Sequence, residues 1–309
     1  MHNNITIHVG LPKAASTTIQ FGFFSKLSNI DYYGIRPNLD QETYFRRQIL
    51  ARILNLEEAE YRMQEGEVRA FFENSINAKK PVVISDEDFS RGHVSSADLC
   101  RTDRYLCARR LQDLFPNANI IIMVRNQLNL LPSLYSQWMK NYHVGRVSFD
   151  KWMDIQLAKQ DSFSGSIMGM ANYEILYKLY CEVFGAKQVN VFLFEEFCQD
   201  VQKGFKSLAE VIGIQMGSTS DYLTESKQMN SRVSSGELAI RKSNFGKIIP
   251  IIPPSLRKVG KRFIAGITQN VGGELSGLQK ERVIEVYSES NRRFQEATGL
   301  DLGNYKYPL

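Results

Sequence analysis

The chain of 309 residues is expected to adopt an α/β fold with a doubly wound, mostly parallel sheet and flanking helices. Three observations lead there. Short, apolar, β-branched runs recur at Ile5, Val82, Ile120 and Val189. Segments with helical spacing of apolar residues lie between them. The carboxyl ends of the first three runs lead into Lys13, Glu87 and Arg125, and such sheets bind ligands at strand carboxyl ends.

The elements follow in order. Ile5–Val9 reads as a buried strand, and the turn Gly10-Leu-Pro-Lys13 leads to Ser16, Thr17 and Thr18, which open a helix carrying Ile19, Phe21, Phe23 and Phe24. A strand, a tight lysine-bearing loop and a hydroxyl-rich helix start make a phosphate-binding unit, because the unpaired N–H groups and positive end of the helix face the anion. Helices rich in Arg and Glu are expected between Tyr44 and Asn77, then a strand over Lys80–Ser85 and a helix over Asp103–Phe115. Asn119–Val124 is the next strand, ending at Arg125, with Pro132 placed in the first turn of a following helix and Ser133 at its start. Tyr135, Trp138 and Met139 continue at helical spacing as core residues. Phe149–Lys159 reads as a helix and Asp161–Gly169 as a loop able to border a substrate cleft. Gln188–Phe194 is a strand, Val201–Ile212 a helix packing Phe205, Leu208, Val211 and Ile212, and the last helix spans about Gln279–Glu296.

Composition agrees and excludes some classes. Hydrophobic residues make up 43% and charged residues 23%, as in an ordinary soluble globule, and one domain over 1–309 is expected. No apolar run approaches the roughly 18 residues of a membrane span, and the N-terminus enters a strand without the basic start and apolar core of a signal peptide. A cytoplasmic location is expected. Four cysteines, Cys100, Cys107, Cys181 and Cys198, show no metal or redox spacing and read as reduced thiols. No metal is expected, and no zinc-finger or RNP signature points to nucleic acid. The net charge of +5 is concentrated in Arg241–Arg262, which holds seven basic residues and no acid around Ile248-Ile-Pro-Ile-Ile-Pro-Pro254. That Pro-containing segment can be neither helix nor central strand. It reads as a solvated loop, or as a patch that closes over phosphates or attracts an anionic acceptor or a membrane surface.

The first loop lacks the G-x-x-x-x-G-K-[ST] spacing of a nucleotide-triphosphate P-loop, since Gly10 precedes Lys13 by three residues. It resembles instead the 5′-phosphosulfate loop, K-[TS]-G-T-[TS], of sulfotransferases that use 3′-phosphoadenosine 5′-phosphosulfate (PAPS). Lys13, Ser16 and Thr17 match, Thr18-Ile19-Gln20 looks like the family's usual continuation, Ala14 occupies the variable position, and Ala15 stands where the family has glycine. An added Cβ there bears on the backbone, either crowding the sulfate or excluding a positive φ. Arg125, followed eight residues later by Ser133, resembles the family's 3′-phosphate site, with Gln127 in place of the proline of Arg-x-Pro, a change expected to touch turn rigidity more than chemistry. Arg suits this task because its planar fork pairs with two phosphate oxygens. The strand, Glu195-Glu196-Phe197 and helix closing in Val211-Ile-Gly-Ile214 resemble a segment of bacterial and carbohydrate sulfotransferases, and Asn230-Ser231 before a helix over about 234–243 resembles the family's N-x-S segment.

The resemblance implies a P-loop-like sulfotransferase fold and transfer of a sulfuryl group from PAPS to a hydroxyl or amine of a carbohydrate or small-metabolite acceptor. Lys13 would neutralise charge on the departing bridging oxygen while loop N–H groups hold the phosphate. Lys13, Ala14, Ala15, Ser16, Thr17, Thr18, Arg125 and Ser133 are the candidate PAPS contacts. Glu87, in Ser85-Asp86-Glu87-Asp88, is the candidate base. Three crowded carboxylates should raise at least one pKa by like-charge repulsion, and continued strand alternation would aim Asp86 and Asp88 away from Glu87. His93 is the alternative base, and His8 reads as a packed core residue. A small-molecule kinase on the same type of fold, or a non-catalytic nucleotide-binding relic, are the competing readings.

Overall fold

The computed structural model describes residues 4–35, 44–75, 79–91, 103–142, 147–159, 166–216 and 273–309. His93, Cys100, residues 161–165, Asn230-Ser231, the helix expected over 234–243 and the basic segment 241–262 lie outside these residues. Among the described residues five strands, β1 (Ile5–Gly10), β2 (Asp31–Tyr33), β3 (Val82–Ser85), β4 (Asn119–Val124) and β5 (Val189–Leu193), pair in parallel in the order β2-β3-β1-β4-β5. Ile7, Val9, Val82, Val83, Ile120, Ile121 and Met123 are fully buried, as expected of central parallel strands covered on both faces. The chain leaves β1 toward β2 on one side and leaves β4 toward β5 on the other. The carboxyl ends of β1 and β4 therefore flank the crevice where a sheet of this type holds its ligand.

The helices are α1 (Ser16–Gly22), α2 (Ala51–Asn55), α3 (Glu58–Ser75), α4 (Asp88–Arg91), α5 (Arg104–Leu114) and α6 (Gln127–Tyr142), then α7 (Phe149–Ala158), α8 (Ile167–Met170), α9 (Tyr173–Phe184), α10 (Phe194–Gln199), α11 (Val201–Ile212) and α12 (Gly277–Thr298). Several boundaries follow from capping chemistry. The Asp103, Ser148 and Asp200 side chains accept N–H groups three residues on at the starts of α5, α7 and α11. Ser276 and Gln279 form a capping box on α12, and Gly213 and Gly299 end α11 and α12 in left-handed conformations. A π-helical turn, Phe45–Leu50, runs straight into α2.

Three expectations are corrected. The helix after β4 begins at Gln127, so Pro132 stands inside it and Ser133 lies beyond its first turn. Asn126, not proline, sets that start: its side-chain oxygen accepts the N–H of Leu128 at 2.9 Å. The segment expected as a cleft loop to Gly169 instead forms α8 from Ile167, with the Ser166 hydroxyl accepting the Gly169 N–H. The helix expected to run through Phe24 ends at Gly22 and gives way to a 3-10 turn over Phe24–Lys26.

Candidate active site

The loop after β1 takes a strained path. Gly10 has φ 85°, and a Cβ there would lie 2.8 Å from the Glu87 Cα and 2.9 Å from its Cβ. Only glycine lets β1's exit and the turn after β3 approach this closely. Lys13 and Ala15 also adopt positive φ, 65° and 62°. The left-handed conformation that the family's glycine favours is therefore present with alanine; the methyl group does not exclude it. The Ala14 N–H closes a turn on the Leu11 carbonyl, and the buried Ser16 hydroxyl donates to that same carbonyl at 2.7 Å. Ser16 thus braces the loop. Ala15 occupies the cap position of α1, and no side chain caps that end. Thr17 is exposed, Thr18 buried, and Lys13 half-buried within the loop.

Arg125 joins this loop to the end of β4. Its Nη1 donates to the Lys13 carbonyl at 2.8 Å, and its guanidinium lies over the Phe194 ring, 4.4 Å from the centroid. The peptide that follows is held from both sides. The Tyr173 hydroxyl donates to the Arg125 carbonyl, and the Asn126 N–H donates to Glu195 Oε1 at 3.0 Å. Gln127, expected to touch turn rigidity more than chemistry, is fully buried and pairs its amide reciprocally with Asn291 of α12 at 2.9 and 3.2 Å. It therefore ties the crevice to the last helix. Ser133 is half-buried in α6.

The three carboxylates after β3 have separate environments. The strand ends at Ser85, so alternation does not continue; the Asp86 N–H still donates to the His8 carbonyl at 3.2 Å. Asp86 is 1% exposed, its Oδ1 accepts the Asp88 N–H at 2.9 Å, and Arg46 of the π-helical turn lies 3.5 Å from its Oδ2. Burial, reinforced by Asp88, pushes its pKa up to about 7. Desolvation is thus the leading cause, ahead of the expected repulsion. Glu87 and Asp88 are both half-buried, and Arg91 bridges them at 3.0 and 3.2 Å. Burial also holds Glu87 above the usual carboxylate range, with Arg91, Lys13 and Arg46 pulling it back and Asp88 adding to the rise. Beneath this rim, His8 Nδ1 meets the Ser85 hydroxyl at 2.8 Å, and Gln20 Nε2 donates to that hydroxyl at 2.9 Å. His8 is a core residue, its pKa driven down to about 4 by burial.

Lys13, the loop through Thr18, Glu87 and Arg125 are thereby brought to one end of the sheet. Tyr173, Asn126 and Tyr307 were not singled out from the sequence. A signal for Tyr173 existed: Asn172 caps α9, Gly185 closes it, and Leu176, Leu179, Tyr180 and Val183 keep helical spacing between them. Among the described residues no group of three or more His, Cys, Asp or Glu side chains could hold a metal, and no helix is long and apolar enough to cross a membrane.

Residues 106–244 match the family model described as the sulfotransferase domain. That segment contains Arg125, Ser133 and the β5–α11 unit, whereas Lys13 and Glu87 precede it. The fold is similar to the crystal structure of a sulfotransferase from Alicyclobacillus acidocaldarius, with 16% identity and a TM-score of 0.57 over 99% of each chain. Weaker likenesses are to the sulfotransferase domain of the Synechococcus PCC 7002 olefin synthase (8% identity, TM-score 0.42, 95% of this chain and 96% of that one) and to mouse sulfotransferase SULT7A1 complexed with PAP (15%, 0.38, 85% and 82%). No curated protein matches the chain in sequence. Residues 106–244 thus carry the sulfotransferase-domain match, on a fold similar to that of a solved sulfotransferase.

Proposed function

We propose that this chain, as one domain over residues 1–309, moves a sulfuryl group from PAPS to a hydroxyl or amine of a carbohydrate or small-metabolite acceptor. The observation that carries the reading is the 2.8 Å bond from Arg125 to the Lys13 carbonyl, which unites two phosphate-type elements in one crevice beside Glu87. The residues fit the donor. The loop from Lys13 to Thr18 presents a cation and the uncapped end of α1 to the 5′-phosphosulfate, and Arg125, with Ser133, offers charge and hydrogen bonds to the 3′-phosphate.

In the reaction, Glu87 takes the acceptor's proton as the acceptor oxygen or nitrogen forms its bond to sulfur. The bond from sulfur to the bridging oxygen breaks, and adenosine 3′,5′-bisphosphate departs with the charge that Lys13 neutralises. The raised pKa of Glu87 makes it a stronger base than an exposed carboxylate. No metal is required, because the cations at the crevice come from the chain. A cytoplasmic setting, where PAPS is available, suits this chemistry.

Direct binding tests the donor. Adenosine 3′,5′-bisphosphate should bind more tightly than ATP, and Arg125→Ala should weaken it by at least tenfold. Tighter binding of ATP would favour a kinase instead.

A further inference from the structure

We infer that the C-terminal segment, through Tyr307, is a positioning device for Arg125 and thereby sets preference for a ligand that carries a 3′-phosphate. The inference rests on the proposed donor reading. Its geometry is independent of that reading. After α12 the chain turns back, with Lys306 at φ 56°, and lays its last residues against the carboxyl end of β4. Asn126 Nδ2 donates to the Tyr305 and Lys306 carbonyls at 2.9 and 2.6 Å, and Asn291 Nδ2 donates to the Pro308 carbonyl at 2.8 Å. The Tyr307 hydroxyl donates to Glu195 Oε2 at 2.8 Å, while Oε1 of the same carboxylate accepts the Asn126 N–H.

Glu195 is therefore a two-sided link. One oxygen fixes the peptide leaving Arg125, and the other is fixed by the tail. The Tyr307 ring also meets the Tyr173 ring edge-on at 6.4 Å between centroids, and the Tyr173 hydroxyl holds the carbonyl of Arg125. Tyr307 thus touches both groups that orient the Arg125–Asn126 peptide. It is 4% exposed. Orientation matters because a guanidinium recognises phosphate through a rigid fork, and a small rotation at its own backbone displaces the fork at the far end of the side chain. Phe194 beneath the guanidinium belongs to the same helix start as Glu195, so slack in Glu195 would also loosen the surface on which the fork rests.

Tyr307→Phe removes one hydroxyl and keeps the buried ring. The full-length variant, wild type, Arg125→Ala and the double variant are titrated with adenosine 3′,5′-bisphosphate and with adenosine 5′-phosphate. Tyr307→Phe should weaken the bisphosphate about five- to tenfold and leave the monophosphate within twofold. In the Arg125→Ala background it should have no further effect on the bisphosphate, because it acts through that arginine. Equal weakening of both ligands, or undiminished weakening in the double variant, would mean that Tyr307 only supports the fold and would overturn the inference. Unchanged binding of both would overturn it as well. Should Arg125→Ala itself weaken both ligands equally, the donor reading fails first, and the two failures are told apart. If Tyr307→Phe folds poorly, Glu195→Gln serves in its place. Its amide keeps one acceptor oxygen where the carboxylate has two, so either the Asn126 N–H or the Tyr307 hydroxyl loses its acceptor, and the same selective loss is expected.

Discussion

Ala15 is the residue where the chain departs from the sulfotransferase loop pattern, and the departure is energetic rather than geometric. Its φ of 62° is the conformation a glycine would adopt freely. An L-residue holds it at a cost of about 1–2 kcal/mol, while glycine in the unfolded chain returns about 0.4–1 kcal/mol of entropy. Ala15→Gly should therefore leave the protein up to about 1.6 kcal/mol more stable, read from urea unfolding midpoints at unchanged slope. A clear loss of stability would mean that the methyl group, 6% exposed, contributes packing that outweighs the strain. Lys13 carries the same left-handed backbone, and its carbonyl receives Arg125. The strain is thus concentrated where the loop must meet β4, a placement typical of functional loops.

At the scale of elements, the turn from β3 into α4 places a buried acid next to the candidate base. Asp86 is raised from an ordinary 3.8 to about 7 by burial. Between those values the folded state binds more protons than the unfolded one, so this group's contribution to stability falls as pH rises from about 4 to about 7 and is constant above. His8 works in the opposite direction. Burial lowers it from 6.5 to about 4, so stability rises with pH across that interval. The two slopes oppose one another in wild type. Asp86→Asn keeps an oxygen for the Asp88 N–H and removes one slope. Relative to wild type it should become steadily more stable as pH rises from about 4 to about 7, followed by thermal unfolding at a series of pH values. A difference independent of pH would show that Asp86 is ionised throughout.

The same elements explain what could be read from the sequence. Apolar runs mark β1, β3 and β4 because central parallel strands are buried on both faces, β5 shows one too although it is a partly buried edge strand, and Asp200 and Gly213 delimit α11 through cap chemistry. β2 escaped because Asp31–Tyr33 is a three-residue edge strand too short to show a pattern. The start of α6 was misplaced because Pro132 suggests a first turn, whereas the Asn126 side chain had already begun the helix.

For the molecule as a whole, the sheet order brings the ends of β1, β3 and β4 together, so Lys13, Glu87 and Arg125 were legible as strand-end residues. What holds them was not. Gln127 with Asn291, and Glu195 with Tyr307, join residues more than a hundred positions apart, and no local periodicity encodes such pairs. The crevice is thus framed by the N-terminal loop and buttressed by the C-terminal tail.

Sulfuryl transfer itself is tested most directly by following sulfur-35 from labelled PAPS into hydroxyl-bearing acceptors fractionated from cell extract, with release of adenosine 3′,5′-bisphosphate measured alongside. Wild type should move label into a discrete acceptor with one bisphosphate released per transfer. Lys13→Ala should slow this roughly 30- to 800-fold, as for loss of about 2–4 kcal/mol of charge stabilisation. Glu87→Gln should lose turnover while keeping its affinity for PAPS, and His93→Ala should remain active. Transfer by Lys13→Ala within a few-fold of wild type, or loss of turnover in His93→Ala with Glu87→Gln near normal, would contradict the mechanism.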